Sequence, residues 1–334
     1  MTATRIASTV TPAPRVCVVL KRSSWRKWVD EEADAHIIAL LEADDETVRR
    51  MRASHLDHLA TIEELRKALD DLGVRASFTD RPHEFRIEGR CDLVVTVGGD
   101  GTLLAASHGI GAGTPLLGVN SAPKHSVGFF CGAEKGGVRE ALVRALAGTL
   151  RRSELTRMRV DLNGHRLLDR VLNEALFCHA SPAATSRYII RLLGADQREL
   201  GTEEQKSSGV WIGPAAGSTA AQHSAGGRVL ALESSELQYV VREPYCPHGE
   251  SLEMTCGLVG DGEVLTLRSK MRKACLFLDG DYIAHDVTIG DVVAMRRSDE
   301  PLVVLGLEVD GRRHTTPPPP LAPLLGRGGA LPST

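Results

Sequence analysis

Apolar residues in this chain of 334 residues follow two rhythms. Up to about residue 150 they come in short solid runs separated by longer periodic stretches. Arg15-Val16-Cys17-Val18-Val19-Leu20, Asp92-Leu93-Val94-Val95-Thr96-Val97 and Pro115-Leu116-Leu117-Gly118-Val119 have strand length and many branched residues. Such runs predict strands buried on both faces. Ile37, Ile38, Leu40 and Leu41 within the charged segment 31–53 predict mostly helix. Leu56, Leu59, Ile62, Leu65, Leu69 and Leu72 recur every three or four residues, which predicts a helix with one apolar stripe that stops at Gly73. Val138, Ala141, Leu142, Ala145 and Leu146 predict another, ending near Gly148. Strands alternating with helices predict a Rossmann-like parallel α/β domain over 15–153. Ligands of such sheets sit at the carboxyl ends of the strands.

Beyond about residue 155 the rhythm changes to alternation. Arg157 to Leu162 alternates, Asn163-Gly164 signals a type I′ hairpin, and a second strand runs from Val171 to Cys178. Further strands are predicted at 187–193, 209–212, 237–241, 263–268, 274–279, 291–296 and 302–309. Gly260-Asp261-Gly262, Asp279-Gly280-Asp281 and Asp310-Gly311 punctuate them. Short strands at this spacing, without long helices, predict a β-sandwich over 154–314. The stretch Gly213 to Gly227 is small and polar, and opens a helix at Ser218 in this reading. Residues 1–14 read as a loose tail. Residues 315–334, with four consecutive prolines, read as extended or disordered.

Composition narrows the function. The net charge is −3, with 42% hydrophobic and 25% charged residues. That suits a globular protein and disfavours general nucleic-acid binding, which needs a basic surface. No apolar run reaches membrane-span length, so the expected setting is cytoplasmic. The seven cysteines are scattered and never spaced C-x-x-C, so they read as reduced, mostly buried hydrophobes. Cys246, His248, His285 and Asp286 have no recognised zinc spacing, and no metal ligand set is assigned.

One motif carries most of the chemistry. Gly98-Gly99-Asp100-Gly101-Thr102 directly follows the run 92–97. Two glycines permit a tight turn with bare backbone N–H groups, and a helix starting near Leu103 aims its positive end at the same place. That combination predicts a phosphate site. A carboxylate there calls for a metal ion or a hydroxyl to be activated. The plainer alternative is a simple turn, since Asp and Gly are common in turns.

Together with GGDGT, Asn173-Glu174, Gly217-Ser218-Thr219-Ala220, Ser224-Ala225-Gly226-Gly227 and Asp279-Gly280 occur in an order that resembles the NAD kinases over about residues 15–310. Gly118-Val119-Asn120-Ser121, the run Ser126-Val127-Gly128-Phe129 and Gln205-Lys206-Ser207-Ser208-Gly209 are more similar to the mitochondrial-type branch. Diacylglycerol and sphingosine kinases share the glycine loop more distantly. The resemblance implies an α/β domain followed by a β-sandwich. It also implies transfer of the γ-phosphoryl of ATP, or in some members of polyphosphate, to the 2′-hydroxyl of the adenosine ribose of NAD. Mg²⁺ would accompany the donor, and the chain would form a homodimer. Carried onto this sequence, Asp100 accepts or holds the ribose hydroxyl proton, while Gly98, Gly99, Gly101 and Thr102 meet phosphates. Asn120, Asn173, Glu174, Gly217, Ser218, Thr219 and Ser224 complete the nucleotide contacts. For Ser218 and Thr219 the plainer alternative is a helix N-cap, and for Asp279-Gly280-Asp281 a hairpin turn.

The sequence departs from the family's pattern in several places. Ala221 stands where an aromatic residue is expected, a loss of stacking worth about 1–3 kcal/mol. Trp211 or Tyr188 are the candidates to replace it. Pro214-Ala215-Ala216 lacks hydroxyls, Ser208 replaces a carboxylate, and the Pro-rich tail stands in for the usual C-terminal return segment. Two alternatives remain beside the NAD kinase reading: a kinase of the same superfamily acting on another hydroxyl, and a nucleotide-binding sensor without transfer.

Overall fold

The computed structural model describes residues 13–246 and 251–307. The readings of the N-terminal tail (all but its last two residues), of His248, of Asp310-Gly311 and of the Pro-rich tail lie outside the described residues. The first sheet contains β1 (Arg15–Leu20), β2 (Arg75–Thr79), β3 (Leu93–Gly98), β4 (Leu116–Asn120), a two-residue β5 (Ala133–Glu134) and β6 (Arg152–Leu155). Its order is β2-β1-β3-β4, then a late strand from 302–305, then β6. β1 to β5 pair in parallel. Helices cover both faces. Val16, Val18, Val95, Val97, Leu117 and Val119 pack with Leu65 and Leu69 of one helix and Leu142 of another. Val19, Val94 and Leu116 pack on the opposite side with Leu103 and Ala106.

Among the described residues this region has four α-helices: α1 (Ala35–Glu42), α2 (Arg49–Asp71), α3 (Asp100–Ser107) and α4 (Val138–Leu146). The helical segment expected at 31–53 is broken, because α1 stops at Glu42 and α2 starts only at Arg49; α1 buries no residue. The buried face of α2 is also rotated from the expected leucine stripe. His58, Thr61, Leu65, Ala68 and Leu69 are buried, while Leu56 and Leu59 are 55% and 47% exposed.

Twelve strands form the second region: β7 (Met158–Leu162), β8 (His165–Val171), β9 (Ala175–His179), β10 (Ser186–Leu193), β11 (Glu199–Ser207), β12 (Val210–Pro214), β13 (Leu237–Val241), β14 (Cys256–Val259), β15 (Val264–Ser269), β16 (Ala274–Leu278), β17 (Ile283–Val287) and β18 (Val292–Arg297). They make two antiparallel sheets, ordered β11-β10-β15-β18-β7-β8 and β14-β13-β12-β9-β16-β17. Alternate residues such as Val160, Ile190, Leu267 and Met295 meet Phe177, Ile212, Leu237 and Leu276 in one core, as sandwich packing requires. Asn163 and Gly164 have positive φ, 51° and 78°, as a type I′ turn needs.

The last described strand, β19 (Leu302–Leu305), corrects two expectations. It is not a sandwich strand. It inserts between β4 and β6 of the first sheet, parallel to β4 and antiparallel to β6. The return to the first sheet, thought to be replaced by the Pro-rich tail, is therefore made by this strand.

Candidate active site

The glycine loop lies at the carboxyl edge of the first sheet. β3 ends at Gly98, whose register partner is Asn120, the last residue of β4. α3 starts at Asp100 with Gly99 as its cap, three residues before the expected start. Asp100 and Gly101 therefore form the open first turn of the helix, where N–H groups have no intrahelical acceptor. A carboxylate in the first turn is favoured by the helix dipole, so Asp100 costs less there than in an isolated loop.

Both Asp100 oxygens are engaged by the chain itself. Oδ2 accepts from Phe129 N at 2.9 Å and Oδ1 from Phe130 N at 2.8 Å. These two amides were not foreseen, because nothing in the local sequence announces them. A carboxylate has about four lone-pair sites, so the clamp orients Asp100 and leaves capacity for a hydroxyl. The diglycine is close-packed. A Cβ on Gly98 would lie 2.3 Å from Thr102 Oγ1, and one on Gly99 would lie 2.4 Å from Ser126 Oγ. Side chains at either position would displace those hydroxyls.

Asn120 acts behind this site. Its Nδ2 donates to Ser126 O at 2.9 Å and its Oδ1 accepts from Ala122 N at 3.3 Å. The buried amide thus holds the 121–130 loop that carries the Phe129 and Phe130 amides. In this arrangement the Asn120 amide groups are turned to the chain's own backbone.

Asn173 and Glu174 are not in a strand. They form a bend between β8 and β9, which removes the difficulty that adjacent strand residues face opposite sides. Asp279, left undecided by the sequence, is what holds the bend. Its carboxylate accepts from Leu172 N, Asn173 N and Glu174 N at 2.8, 2.7 and 3.1 Å. Its own N–H donates to Glu174 O at 2.9 Å. The residue adopts a left-handed φ of 50°, which Asp tolerates better than most. His108, the residue capping α3, donates from Nε2 to Asp279 Oδ2 at 2.8 Å. Asp279 therefore ties the end of α3 to the bend. Burial pushes the Glu174 carboxyl up to about 7, with the Asp279 charge adding to it, and Glu174 Oε2 has no hydrogen-bond partner.

Gly217 lies against the same bend. A Cβ there would fall 1.8 Å from Asn173 O, so the position admits only glycine. It belongs to a 3₁₀ turn, Ala215–Thr219, followed by the short helix α5 (Ala221–Ser224). The helix does not open at Ser218. The Ser218 hydroxyl is wholly buried, donates to Ala215 O at 2.7 Å and accepts from Leu230 N at 2.9 Å. It fastens the loop and is neither an α-helix cap nor an open ligand contact. Thr219 is partly buried and Ser224 is exposed. Tyr188 lies in the sandwich core with its hydroxyl 3.1 Å from Ser207 Oγ, so it cannot replace the aromatic residue missing at Ala221. Trp211 is partly buried, with the Arg242 guanidinium 5.6 Å from its ring.

The pieces converge through one apolar cluster: Leu103 and Leu104 of α3, Phe129 and Phe130, Leu172 before the bend, and Ala216 in the 3₁₀ turn. Fold and site define a class, an α/β protein with a glycine loop and carboxylate at its sheet edge, joined to a β-sandwich. The comparisons carry this to a family. The model of the ATP-NAD kinase N-terminal domain matches residues 6–149. A probable NADH kinase of Oryza sativa subsp. japonica is 34% identical over 254 residues, 71% of this chain and 76% of that protein. An NAD kinase of Syntrophotalea carbinolica is 30% identical over 239 residues, 70% and 78% of the two chains. The chain belongs to the NAD kinase family. Its fold matches an Archaeoglobus fulgidus NAD kinase solved with ATP, at TM-score 0.62 and 19% identity over 89% of this chain and 95% of that one. It also matches yeast NADH kinase solved with NADH, at TM-score 0.63 and 16% identity over 97% and 91%.

Proposed function

We propose that the chain is an ATP-dependent NAD kinase, which moves the γ-phosphoryl group of ATP to the 2′-hydroxyl of the adenosine ribose of NAD. The observation that carries this reading is the Asp100 carboxylate, clamped by two amides in the first turn of α3. In the reaction the ribose oxygen bonds to the γ-phosphorus, the bond from that phosphorus to the bridging oxygen breaks, and ADP leaves. Asp100 holds the hydroxyl and takes its proton as the new bond forms. Gly98, Gly99, Gly101 and Thr102 meet phosphates. Asn173 and Glu174 receive the nucleoside, with Gly217 and Thr219 lining the same side; Ser224 lies further out. Positioning and charge neutralisation are most of what phosphoryl transfer demands.

Magnesium would arrive with the triphosphate and neutralise its charge. One carboxylate plus substrate phosphates is a donor set that this ion accepts, so Asp100 fits it without a dedicated cage. A homodimer in the cytoplasm belongs to the same reading, with polyphosphate as the alternative donor to test beside ATP. Among the described residues no helix is long and apolar enough to cross a membrane, and a soluble substrate is in keeping with that.

The test incubates the purified protein with ATP, Mg²⁺ and NAD and reads NADP with a dehydrogenase specific for it. NADP should form. Asp100→Asn should still bind NAD and lose turnover by about 10²–10⁴-fold. NAD binding without NADP formation would instead support a sensor, and phosphorylation of a lipid but not NAD a different kinase. NADH in place of NAD measures redox preference, prompted by the plant relative's name.

A further inference from the structure

Lys21 follows β1, and its backbone is held by β3 on one side and α2 on the other. Its N–H donates to Val97 O at 2.8 Å, extending the pairing of β1 with β3. Its carbonyl accepts from His58 Nε2 at 2.9 Å. A Cβ on Gly98 would lie 3.0 Å from Lys21 Cβ, so the lysine stem leaves the backbone beside the first glycine of the loop. Thr102 Oγ1 faces that same glycine, and Ser126 Oγ faces the next.

Several neighbouring cations are paired. Arg22 meets Glu31, Arg26 meets Glu31 and Asp80, and Lys135 meets Asp57. Lys21 is partly buried and has no ion pair or side-chain hydrogen bond among the described residues. The carboxylate at this edge, Asp100, is held by the Phe129 and Phe130 amides and makes no ion pair with Lys21. An ammonium that has no counter-charge from the protein can take one from an anion held in the loop. Here the missing counter-charge has an evident source in the loop's own ligand.

We propose that Lys21 is a phosphate-binding residue, the cation that receives the polyphosphate chain of the nucleoside triphosphate beside Gly98. A compact ammonium on a flexible stem suits this task, because it follows a phosphate as a point charge without fixed geometry. The proposal rests on the kinase reading above and deepens it by assigning the donor's charge partner.

The test compares wild type with Lys21→Met, which keeps the packed stem, and Lys21→Arg, which keeps the charge. NADP formation is followed with ATP varied at saturating NAD and with NAD varied at saturating ATP, and melting temperatures are taken alongside. Binding of inorganic tripolyphosphate is measured by calorimetry. Lys21→Met should lower kcat/KM for ATP and tripolyphosphate affinity by about 10- to 100-fold, as lost charged hydrogen bonds do. It should leave KM for NAD and the melting temperature nearly unchanged, and Lys21→Arg should restore most of the loss. Unchanged ATP kinetics and unchanged tripolyphosphate binding, in a wild type that makes NADP, would overturn the Lys21 assignment and leave the kinase reading intact. Equal losses toward both substrates with a lowered melting temperature would also overturn it, as a structural effect. A wild type that makes no NADP but binds tripolyphosphate through Lys21 would strike the kinase reading and keep the anion site.

Discussion

Glu174 is buried in a bend with one carboxylate oxygen unpartnered, and its ionisation is tied to folding. Burial, with the nearby Asp279 charge, moves its pKa from 4.5 to about 7 in the folded chain. The unfolded chain gives up this proton near 4.5, whereas the folded chain keeps it to about 7. Between those values the folded state binds more protons, so the contribution of Glu174 to stability falls as pH rises. Glu174→Gln removes the titration. Relative to wild type, the variant should gain stability from pH 4.5 to 7 and hold a gain on the order of 2–3 kcal/mol above that. Urea denaturation at pH 5 and pH 8 reads this directly, and parallel profiles for the two proteins would show that the carboxyl is hydrated. The Asn173-Glu174 pair was legible in the sequence through its place in the order of the family's motifs. The role of Asp279, and His108 altogether, were not, since their meaning comes from contacts between distant segments: the helix end, the bend and the turn after β16.

At the scale of elements, α2 shows how a site bends the simple pattern. Its buried face begins with His58 and Thr61, and not with the leucines at 56 and 59. Both polar residues have partners at the carboxyl edge of the sheet. His58 Nε2 donates to Lys21 O, and its Nδ1, 3.0 Å from Ser121 Oγ, accepts from that hydroxyl; Thr61 donates to Asp57 O and Ser121 O. Periodicity alone reads apolar residues, so it finds the helix but misassigns its face where groups just after β1 and β4 must be satisfied. Burial lowers the His58 pKa from 6.5 to about 4, and the neutral ring is the form this bonding requires. Its depressed value means that the unfolded chain takes up the proton first on acidification. The contribution is fully present above 6.5 and is lost as pH falls toward 4. The wild type should therefore lose about 3 kcal/mol from this group over that interval. His58→Gln should be less stable than wild type at pH 7.5, where the bonds are intact, and should show a flatter decline between 6.5 and 4. Thermal melts across this range measure it. A variant whose melting temperature falls in step with wild type would mean that other groups govern the acid transition.

Across the whole molecule, the chain closes on itself through β19, and the sequence held a sign of this. Leu302–Leu305 is buried at every position, like β3 and β4, whereas β18 alternates as a sandwich strand does. An unbroken apolar run belongs in a sheet covered on both faces. The side chain that secures the closure is Arg157, wholly buried where the first sheet hands over to the sandwich. Its Nη1 donates to Ser107 O and Ile110 O at 3.1 and 2.9 Å, its Nε to Glu300 O at 2.6 Å and its Nη2 to Pro301 O at 3.3 Å. One guanidinium thus joins the end of α3 to the segment entering β19. Burial lowers its pKa to about 10, so it stays charged at neutral pH, and the four carbonyls supply the solvation that water no longer can. Arg157→Met fills the volume and strands those carbonyls, so a loss of about 3–5 kcal/mol is expected. Arg157→Lys should recover little, because a single ammonium does not match the planar fork. Because α3 begins at Asp100, loosening its far end should also lower turnover at temperatures where the variant remains folded. Urea titration together with NADP formation at 20 °C separates the two effects. A stability loss under about 1 kcal/mol would mean that water replaces the guanidinium and that β19 is held by its apolar burial alone.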